Sequence, residues 1–496
     1  MRYTTWYNMA EAQQLRAKYT TFEYSGYSWR LVDDQDLVLS FSYQISPEIS
    51  FNPKATIHNV TQEMIDRLGT DSIDSYVFQI GLAELYSYWK TTASPQVVIS
   101  AGNLTPKAQE FWHKLLLKGM GEFFYTNNID FSAPDFVTFS SNSNKIHNTE
   151  RTDLSDNNLN KNSVTPRVLI PVGGGKDSSV TLELLKQRFS VGTYAVSTPK
   201  SAQDIINVSR IPQEDQIKIT RFIDPKLFEL NEAGYLNGHV PISAYLAFLS
   251  IFTADLFGYT HVAISNERSS NEGNVWYCDQ EVNHQYSKTY EFESDLQAYV
   301  TSFLPATTPL YFSFLRPLYE LQIAQIFAQF PDHHPVFRSC NKGQKQNIWC
   351  GNCSKCLFAW TILFPFLGEE KLTTYFGNNI FENMNLWQVA RELLGLATTK
   401  PFDCVGTHEE TAVAFYLCTK LYEKENQTGS QKTLPPLLEK VAQELKTNPQ
   451  LQLSPEGNAD FETRAHIILT GWNEENSLPA EFAQILKHEL EKAKNR

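Results

Sequence analysis

A glycine-rich segment between an apolar run and a helical pattern is the part of the sequence best suited to bind phosphate. It contains Gly173, Gly174 and Gly175, followed by Lys176, Asp177, Ser178 and Ser179. In a strand–turn–helix arrangement, the free N–H groups of the turn and the helix dipole converge on one point and attract an anion. The glycines allow close approach to a phosphate, the lysine adds charge, and the serines can donate from the helix cap. The segment therefore predicts a phosphate site.

Residue counting separates this segment from two well-known phosphate loops. A Walker A loop needs glycine where this chain has Ile170, and Ser or Thr where it has Asp177. The Rossmann fingerprint fits only loosely. The segment resembles the Ser-Gly-Gly-x-Asp-Ser loop of the PP-loop ATP pyrophosphatases, with Gly173 in place of the first serine. Those enzymes split ATP into AMP and pyrophosphate to adenylate a substrate, so the resemblance implies ATP as a ligand.

Four of the seven cysteines are close together, with the spacing C-x9-C-x2-C-x2-C. These four are Cys340, Cys350, Cys353 and Cys356. Short loops of this kind place thiolates around one Zn²⁺ in a tetrahedral, structural site with no open position. Polar turn residues between the thiols favour that interpretation. The alternative is that the last two cysteines are small apolar residues at the start of a buried helix.

Composition limits the classes of function. The chain has 42 Lys and Arg against 55 Asp and Glu, a net charge of −13, which argues against a nucleic-acid partner. Its longest apolar run, residues 356–367, is shorter than the ~20 residues that a membrane helix needs. The N-terminus lacks the apolar core of a secretory signal. We therefore expect a soluble, cytoplasmic protein without a membrane-spanning segment.

The chain is long enough for two or three domains, and its pattern changes along its length. Residues 1–140 predict an N-terminal α+β domain, with an alternating strand over 37–44 and helices over 81–89 and 108–117. Residues 141–165 are a polar, Asn- and Ser-rich linker. Residues 166–370 predict the ATP-binding domain with the cysteine cluster, and residues 371–496 a helical C-terminal region.

The middle of the chain alternates between strand and helix patterns. The predicted strands are 168–172, 193–197, 216–222, 261–265 and 310–314, and the longest helix between them is 242–257. This alternation predicts an α/β fold with a doubly wound parallel sheet, which the loop resemblance identifies as PP-loop or HUP-like. Ligands of such sheets bind at the carboxyl ends of the strands, where the glycine loop and Ser265, Asn266, Glu267 and Arg268 are expected.

Other polar stretches contain candidates for a catalytic base. Cys404 and His408 are four residues apart in one stretch, and His284 and Lys288 are similarly spaced in another. A thiolate with a lowered pKa can accept a proton, as can an imidazole. Each residue could instead be an ordinary, satisfied loop residue. Together with an ATP loop, these stretches predict one assembled site, but the sequence leaves the base open.

Taken together, these stretches resemble the family of ATP-dependent epimerases that act on UDP-N-acetylmuramoyl-L-alanyl-L-glutamate, a peptidoglycan precursor. The resemblance covers residues from about 80 to about 410. Its most specific parts are residues 81–90, 121–125, the glycine loop, 315–320, 341–345 with the cysteines, and the stretch around Cys404. The N-terminal 75 residues and the last 80 or so contribute little to it.

The resemblance implies inversion of the terminal L-Glu to D-Glu through an acyl-adenylate, with release of AMP and pyrophosphate. Asp177 would bind Mg²⁺, while Lys176, Ser178 and the loop amides would hold the pyrophosphate. The implied nucleotide contacts also include Ser179, Ser197 and residues 265–268. The partner would be the UDP-linked muramoyl dipeptide, and the oligomeric state stays open.

Two other readings remain. One is a different PP-loop adenylating enzyme, either 7-cyano-7-deazaguanine synthase-like or tRNA-modifying; the acidity of the chain argues against tRNA, and its long N-terminal region against the compact synthase. The other is a nucleotide-sensing module without catalysis. Asp177 argues against that reading, because sensing does not require a carboxylate ligand for magnesium.

Overall fold

The backbone is organised around one large sheet and the helices on its two faces. The structure is a computed structural model that describes residues 11–46, 48–141, 150, 165–427, 432–453 and 459–494. The strands are β1 (Thr21–Val32), β2 (Asp36–Ile45), β3 (Ile49–Phe51), β4 (Lys54–His58), β5 (Gln96–Ile99), β6 (Thr138–Ser141), β7 (Arg167–Pro171), β8 (Ser190–Val196), β9 (Gln216–Phe222), β10 (His261–Ile264), β11 (Val275–Tyr277), β12 (Gln280–Val282) and β13 (Leu310–Ser313).

Helices connect these strands and form the C-terminal part of the chain. They are α1 (Gln62–Leu68), α2 (Thr70–Glu84), α3 (Tyr86–Trp89), α4 (Pro106–Gly119), α5 (Gly121–Thr126), α6 (Lys176–Leu185), α7 (Lys200–Val208), α8 (Pro225–Glu232), α9 (Ile242–Leu256), α10 (Tyr290–Phe303), α11 (Glu320–Phe327), α12 (Ser354–Phe376), α13 (Trp387–Leu393), α14 (His408–Gln427), α15 (Pro436–Thr447), α16 (Pro449–Gln452), α17 (Phe461–Thr470) and α18 (Ala480–Lys494). None of the described helices combines the length and apolar character needed to cross a membrane.

The central part of the sheet has the parallel, doubly wound arrangement predicted from the sequence. Its strand order is β13-β10-β7-β8-β9, and every neighbouring pair in this run is parallel. Side chains of β7 alternate between two cores: Leu169 packs with α2, α9 and α10, whereas Val168 and Ile170 pack with α6, α7 and α11. Helices therefore cover both faces, as this class of sheet requires. The five predicted strands are confirmed to within three residues at each end.

The N-terminal strands extend this same sheet. Strand β4 pairs with β9 in antiparallel register, with Ile57 opposite Ile219, and the order continues β4-β2-β1-β5-β6. The result is an 11-stranded mixed sheet, with β3 paired to β2 at its side. The predicted N-terminal α+β region is thus joined by backbone hydrogen bonds to the region that was predicted to bind ATP. Residues 142–149 and 151–164 of the predicted linker lie outside the described residues.

Local sequence patterns in the N-terminal region explain its elements. Strand β2 buries alternate residues, including Leu37 and Leu39, on one face, as the alternation predicted. The helix expected over 81–89 is the end of a longer helical segment that begins at Thr70, because residues 73–84 are largely apolar and the segment is buried. Helix α4 begins at Pro106, with Thr105 as its N-cap, and covers the predicted 108–117.

Candidate active site

A cavity of about 260 Å³ lies at the carboxyl ends of β7 and β10. These strands are neighbours at the point where the strand order reverses, which is where doubly wound sheets bind ligands. Gly173, Gly175 and Lys176 line one side of the cavity, and Ser265 to Glu267 line another. The two segments that the sequence predicted to meet are therefore in one site.

The glycine loop is tightly packed at its second glycine. Gly174 has a φ of +92°, and a Cβ there would lie 2.3 Å from the Oγ of Ser201 and 2.7 Å from the backbone nitrogen of Ala202. Its carbonyl accepts a hydrogen bond from the backbone N–H of Arg338 over 2.8 Å. Only glycine fits this position without displacing α7, the helix that contains Ser201 and Ala202. The loop shape is thus determined by the left-handed conformation of Gly174 and by its backbone hydrogen bond with Arg338.

The two serines after the loop fold back on it. The hydroxyls of Ser178 and Ser179 donate to the carbonyl of Gly175 over 3.2 and 2.9 Å. Ser178 also lines the cavity, whereas Ser179 is fully buried. In this arrangement both hydroxyls stabilise the start of α6, and only Ser178 is in position to turn toward a ligand.

Lys176 is buried between two carboxylates. Its Nζ donates to Asp177 and to Glu320, the first residue of α11. Burial by itself lowers the pKa of the lysine, but the two carboxylates outweigh burial and raise it, so the ammonium is retained. Glu320 is a site residue to which the sequence had given no role, although it lies in one of the stretches that carry the family resemblance.

Asp177, Glu267 and Glu320 bring their carboxylate oxygens within 4.8 Å of one another. Burial raises the pKa of Glu267 and strongly raises that of Glu320, and the neighbouring carboxylates add to the effect. A divalent cation would relieve this repulsion, and hard cations such as Mg²⁺ prefer carboxylate oxygens. The three residues fit a magnesium site that includes the predicted ligand Asp177.

Cys404 faces the same cavity from the loop before α14. The Nζ of Lys288 donates to its Sγ over 3.0 Å, and His284 also hydrogen-bonds to it. Burial alone would raise the pKa of the thiol. The positive charges of Lys288, Lys355 and His284 instead hold that pKa well below its ordinary value. Cys404 is therefore a half-buried thiol whose surroundings favour the thiolate form, which can act as a base or nucleophile.

His284 lies between Cys404 and the carboxylate of Glu122. Its Nδ1 is hydrogen-bonded to Glu122, a residue of α5, and its ring lies 4.4 Å from that of His239. Burial lowers the pKa of His284, but contact with Cys404 and Glu122 raises it overall, to about 9. Burial and the neighbouring cations lower the pKa of His239 to about 3, so that ring is neutral. Neither Glu122 nor His239 was predicted individually as a site residue.

Three predicted site residues lie elsewhere. His408 begins α14, where its Nδ1 is hydrogen-bonded to the carbonyl of Leu393 over 3.0 Å, and it does not line the cavity. Ser197 follows β8 and accepts from the N–H of Arg221, and Arg268 stacks over the ring of Tyr319 at 4.2 Å. The geometry gives these three no contact with the cavity, and their proposed roles stay predictions.

The four clustered cysteines form a compact knuckle. Their Sγ atoms lie within 4.8 Å of one another, with separations of 3.8 Å for Cys340–Cys353, 3.7 Å for Cys350–Cys356 and 3.5 Å for Cys353–Cys356. Four Zn–S bonds of ~2.3 Å in a tetrahedron imply S···S distances of about 3.8 Å. Hydrogen bonding from Cys356 lowers the pKa of Cys353 to about 5. The group therefore fits the predicted structural zinc.

Comparison with known proteins gives consistent matches over most of the chain. Residues 13–314 match the family model described as the MurL N-terminal domain, and residues 336–451 match the MurL C-terminal domain. These matches extend further at both ends than the resemblance recognised from about 80 to about 410. No solved structure matches the chain significantly.

Three curated relatives are named UDP-N-acetyl-alpha-D-muramoyl-L-alanyl-L-glutamate epimerase. The relatives from Salinispora tropica and a Micromonospora species are each 35% identical to this chain; the first match covers 67% of the chain and 70% of the relative, the second 67% and 72%. The relative from Xanthomonas oryzae pv. oryzae is 31% identical over 66% of the chain and 71% of its own length. With both domains matched and relatives above 30% identity, the chain belongs to the MurL family.

Proposed function

We propose that this protein inverts the terminal L-Glu of UDP-N-acetylmuramoyl-L-alanyl-L-glutamate to D-Glu, using ATP and an acyl-adenylate, in peptidoglycan precursor synthesis. The names of the three relatives support the epimerase activity and the substrate. One observation carries the mechanism: a glycine-rich loop before a helix, a carboxylate cluster and the thiol of Cys404 share a single cavity.

Adenylation solves a chemical problem of this substrate. Removing the α-proton from a free carboxylate would place two negative charges on one group. In the proposed first step, the substrate carboxylate oxygen attacks the α-phosphorus of ATP, and pyrophosphate leaves. The carboxylate then loses its charge and the α-proton becomes more acidic. Lys176 and the loop amides would stabilise the leaving phosphates, which carry the developing charge.

The cluster of Asp177, Glu267 and Glu320 would hold Mg²⁺ in this step. The ion would screen the triphosphate and stabilise the pyrophosphate as it departs. Lys176 contacts two of these carboxylates. It therefore positions the cluster and adds charge at the phosphates.

Inversion then requires a base next to the α-carbon. The Cys404 thiolate would remove the α-proton, while Lys288 and His284 stabilise the thiolate before transfer and can donate to it. Return of a proton to the opposite face gives the D configuration. Water finally attacks the acyl-adenylate, releasing AMP and the epimerised carboxylate.

The decisive experiment incubates the muramoyl dipeptide with ATP and Mg²⁺ in D₂O. Chiral analysis should find D-Glu, and mass spectrometry should find one deuterium at its α-carbon in step with AMP formation. An ATP analogue that cannot be cleaved between the α and β phosphates should abolish both. Deuterium incorporation without nucleotide would contradict the adenylation mechanism.

A further inference from the structure

One face of α12 forms a wall of the reaction cavity. Lys355, Phe358, Ala359 and Ile362 all line it, at the i, i+3, i+4, i+7 spacing that places side chains on one side of a helix. Three of the four are apolar, and the single charge is at the amino-terminal end. This lysine lies between Cys353 and Cys356, so the cysteine knuckle determines where it stands.

The other cations of the cavity are already engaged. Lys176 contacts two carboxylates, and Lys288 donates to the Cys404 thiolate. The guanidinium of Arg338 donates to the main-chain carbonyls of residues 335, 337 and 347, and its backbone N–H donates to Gly174 of the glycine loop. Lys355 adds positive charge near Cys404, but among the described residues it is in no ion pair with a carboxylate. It is the cavity lysine left to bind an incoming anion.

Hydrogen bonds connect the start of α12 to the loop that contains Cys404. Asp403 accepts a hydrogen bond from the Nδ2 of Asn341 over 2.6 Å and another from the hydroxyl of Ser354. Asn341 follows Cys340 and Ser354 follows Cys353, so both donors are next to knuckle cysteines. The thiolate and Lys355 are therefore held in a fixed relation on one rigid unit.

We propose that Lys355 forms a subsite for the γ-carboxylate of the substrate's terminal glutamate. This inference rests on the proposed function. The α-carboxylate loses its charge on adenylation, so the γ-carboxylate is the anion that persists beside the reacting carbon through every step. An ion pair with Lys355 places the α-carbon near Cys404, on the same rigid unit. The knuckle is thus part of the active site as well as a structural element.

The test pairs two enzymes with two ligands. Wild type and Lys355→Met are compared on the glutamate substrate and on the analogue in which glutamine replaces that glutamate, so that the γ-carboxylate becomes a neutral amide. A charge-assisted hydrogen bond of this type corresponds to about tenfold or more in affinity. We expect wild type to prefer glutamate by that factor and Lys355→Met to bind both ligands within about twofold.

Controls separate this inference from folding and from the proposed function. Lys345→Met removes an exposed lysine of the same knuckle that does not line the cavity and should keep the wild-type preference. Lys355→Arg should retain most of the preference for glutamate over glutamine. If Lys355→Met fails to fold, Lys355→Gln takes its place. Calorimetric binding without ATP measures the preference even if no epimerisation occurs. The proposal is overturned if Lys355→Met keeps the wild-type preference for glutamate over glutamine, or if the substitution raises only the KM for ATP.

Discussion

The Nζ of Lys288 lies 3.0 Å from the Sγ of Cys404, although the two residues are 116 positions apart. The lysine ends a short 3₁₀ helix, Tyr286–Lys288, before α10, and the cysteine lies in the loop before α14. A lysine ammonium that donates to sulfur stabilises the thiolate, because the anion gains both charge and a hydrogen bond. This contact makes Cys404 the strongest candidate for the base among the residues predicted from the sequence.

Replacement of Cys404 should separate the two half-reactions. We expect Cys404→Ala to retain measurable AMP formation from ATP and the substrate, because the substitution leaves the glycine loop and the carboxylate cluster unchanged. Deuterium incorporation at the α-carbon should fall by about 100-fold or more, the usual contribution of a positioned base. Cys278→Ala, at a cysteine that does not line the cavity, serves as the control. Equal loss of AMP and deuterium would assign Cys404 to adenylation.

Alkylation should report the charge state of the thiol directly. An ordinary thiol with a pKa of ~8.5 alkylates roughly twentyfold faster at pH 9 than at pH 7, because its thiolate fraction rises. Cys404, with its lowered pKa, should react at nearly the same rate across this range. The rate is measured with iodoacetamide and peptide-resolved mass spectrometry.

Neutralising Glu122 should make the alkylation rate of Cys404 and the kcat/KM of the enzyme depend more strongly on pH between 7 and 9. Burial lowers the pKa of His284, and contact with Cys404 and Glu122 raises it to about 9. In Glu122→Gln the imidazolium should lose its proton at a lower pH, so the alkaline limb of kcat/KM moves down and alkylation of Cys404 slows at pH 7–9. Glu281→Gln, at an exposed carboxylate, is the matched control. An unchanged pH profile would show that Glu122 has only a packing role.

The carboxylate cluster should determine the magnesium requirement. Asp177→Asn should abolish AMP formation, because an amide is a poor ligand for a hard cation. Glu320→Gln should also reduce it and raise the Mg²⁺ concentration needed for half-maximal rate, measured by pyrophosphate release against Mg²⁺. Wild-type activity of Asp177→Asn at saturating Mg²⁺ would exclude the proposed ATP site.

The cysteine knuckle should contain one zinc per chain. Elemental analysis of the purified protein should find near-stoichiometric metal, and Cys353→Ser should lower both the metal content and the Tm, since structural zinc contributes folding energy. Cys278→Ser should retain the zinc. Metal-free protein with an unchanged Tm would leave the four cysteines as core packing.

The glycine loop offers a matched pair of substitutions. Gly174→Ala forces a Cβ against Ser201 and Ala202 at a φ of +92°, so we expect a loss of about 1–3 kcal/mol in the free energy of unfolding. Gly173→Ala meets nothing within 4 Å and should unfold like wild type. Denaturant unfolding of both variants measures the difference. Equal stability would show that the loop adapts to a side chain at position 174.

The sequence alone was sufficient to predict local geometry. The glycine loop, the cysteine spacing and the alternation in β2 are each contained in a short segment. Backbone sterics, metal-ligand geometry and the period of a strand therefore predict these features without any knowledge of tertiary contacts. The same holds for the alternating strands and helices that predicted the parallel sheet.

Tertiary structure decided which distant residues meet. Three pairs of residues that are far apart in sequence are neighbours in the structure: Glu320 with Asp177, Glu122 with His284, and Lys288 with Cys404. They meet because the carboxyl ends of β7, β10 and β13 and the segments beside them converge. His408 is four residues from Cys404, but it begins a helix and its side chain lies away from the cavity.

The continuity of the sheet was also invisible in the sequence. Strands β4 and β9 pair through backbone N–H and C=O groups, which every residue except proline carries, so their side chains give little indication of which edge each strand will join. Local patterns therefore determined the chemistry that this chain has available. The long-range contacts of the folded chain determined which of those groups share a cavity, because the energy of such contacts depends on distance in space and not on separation in sequence.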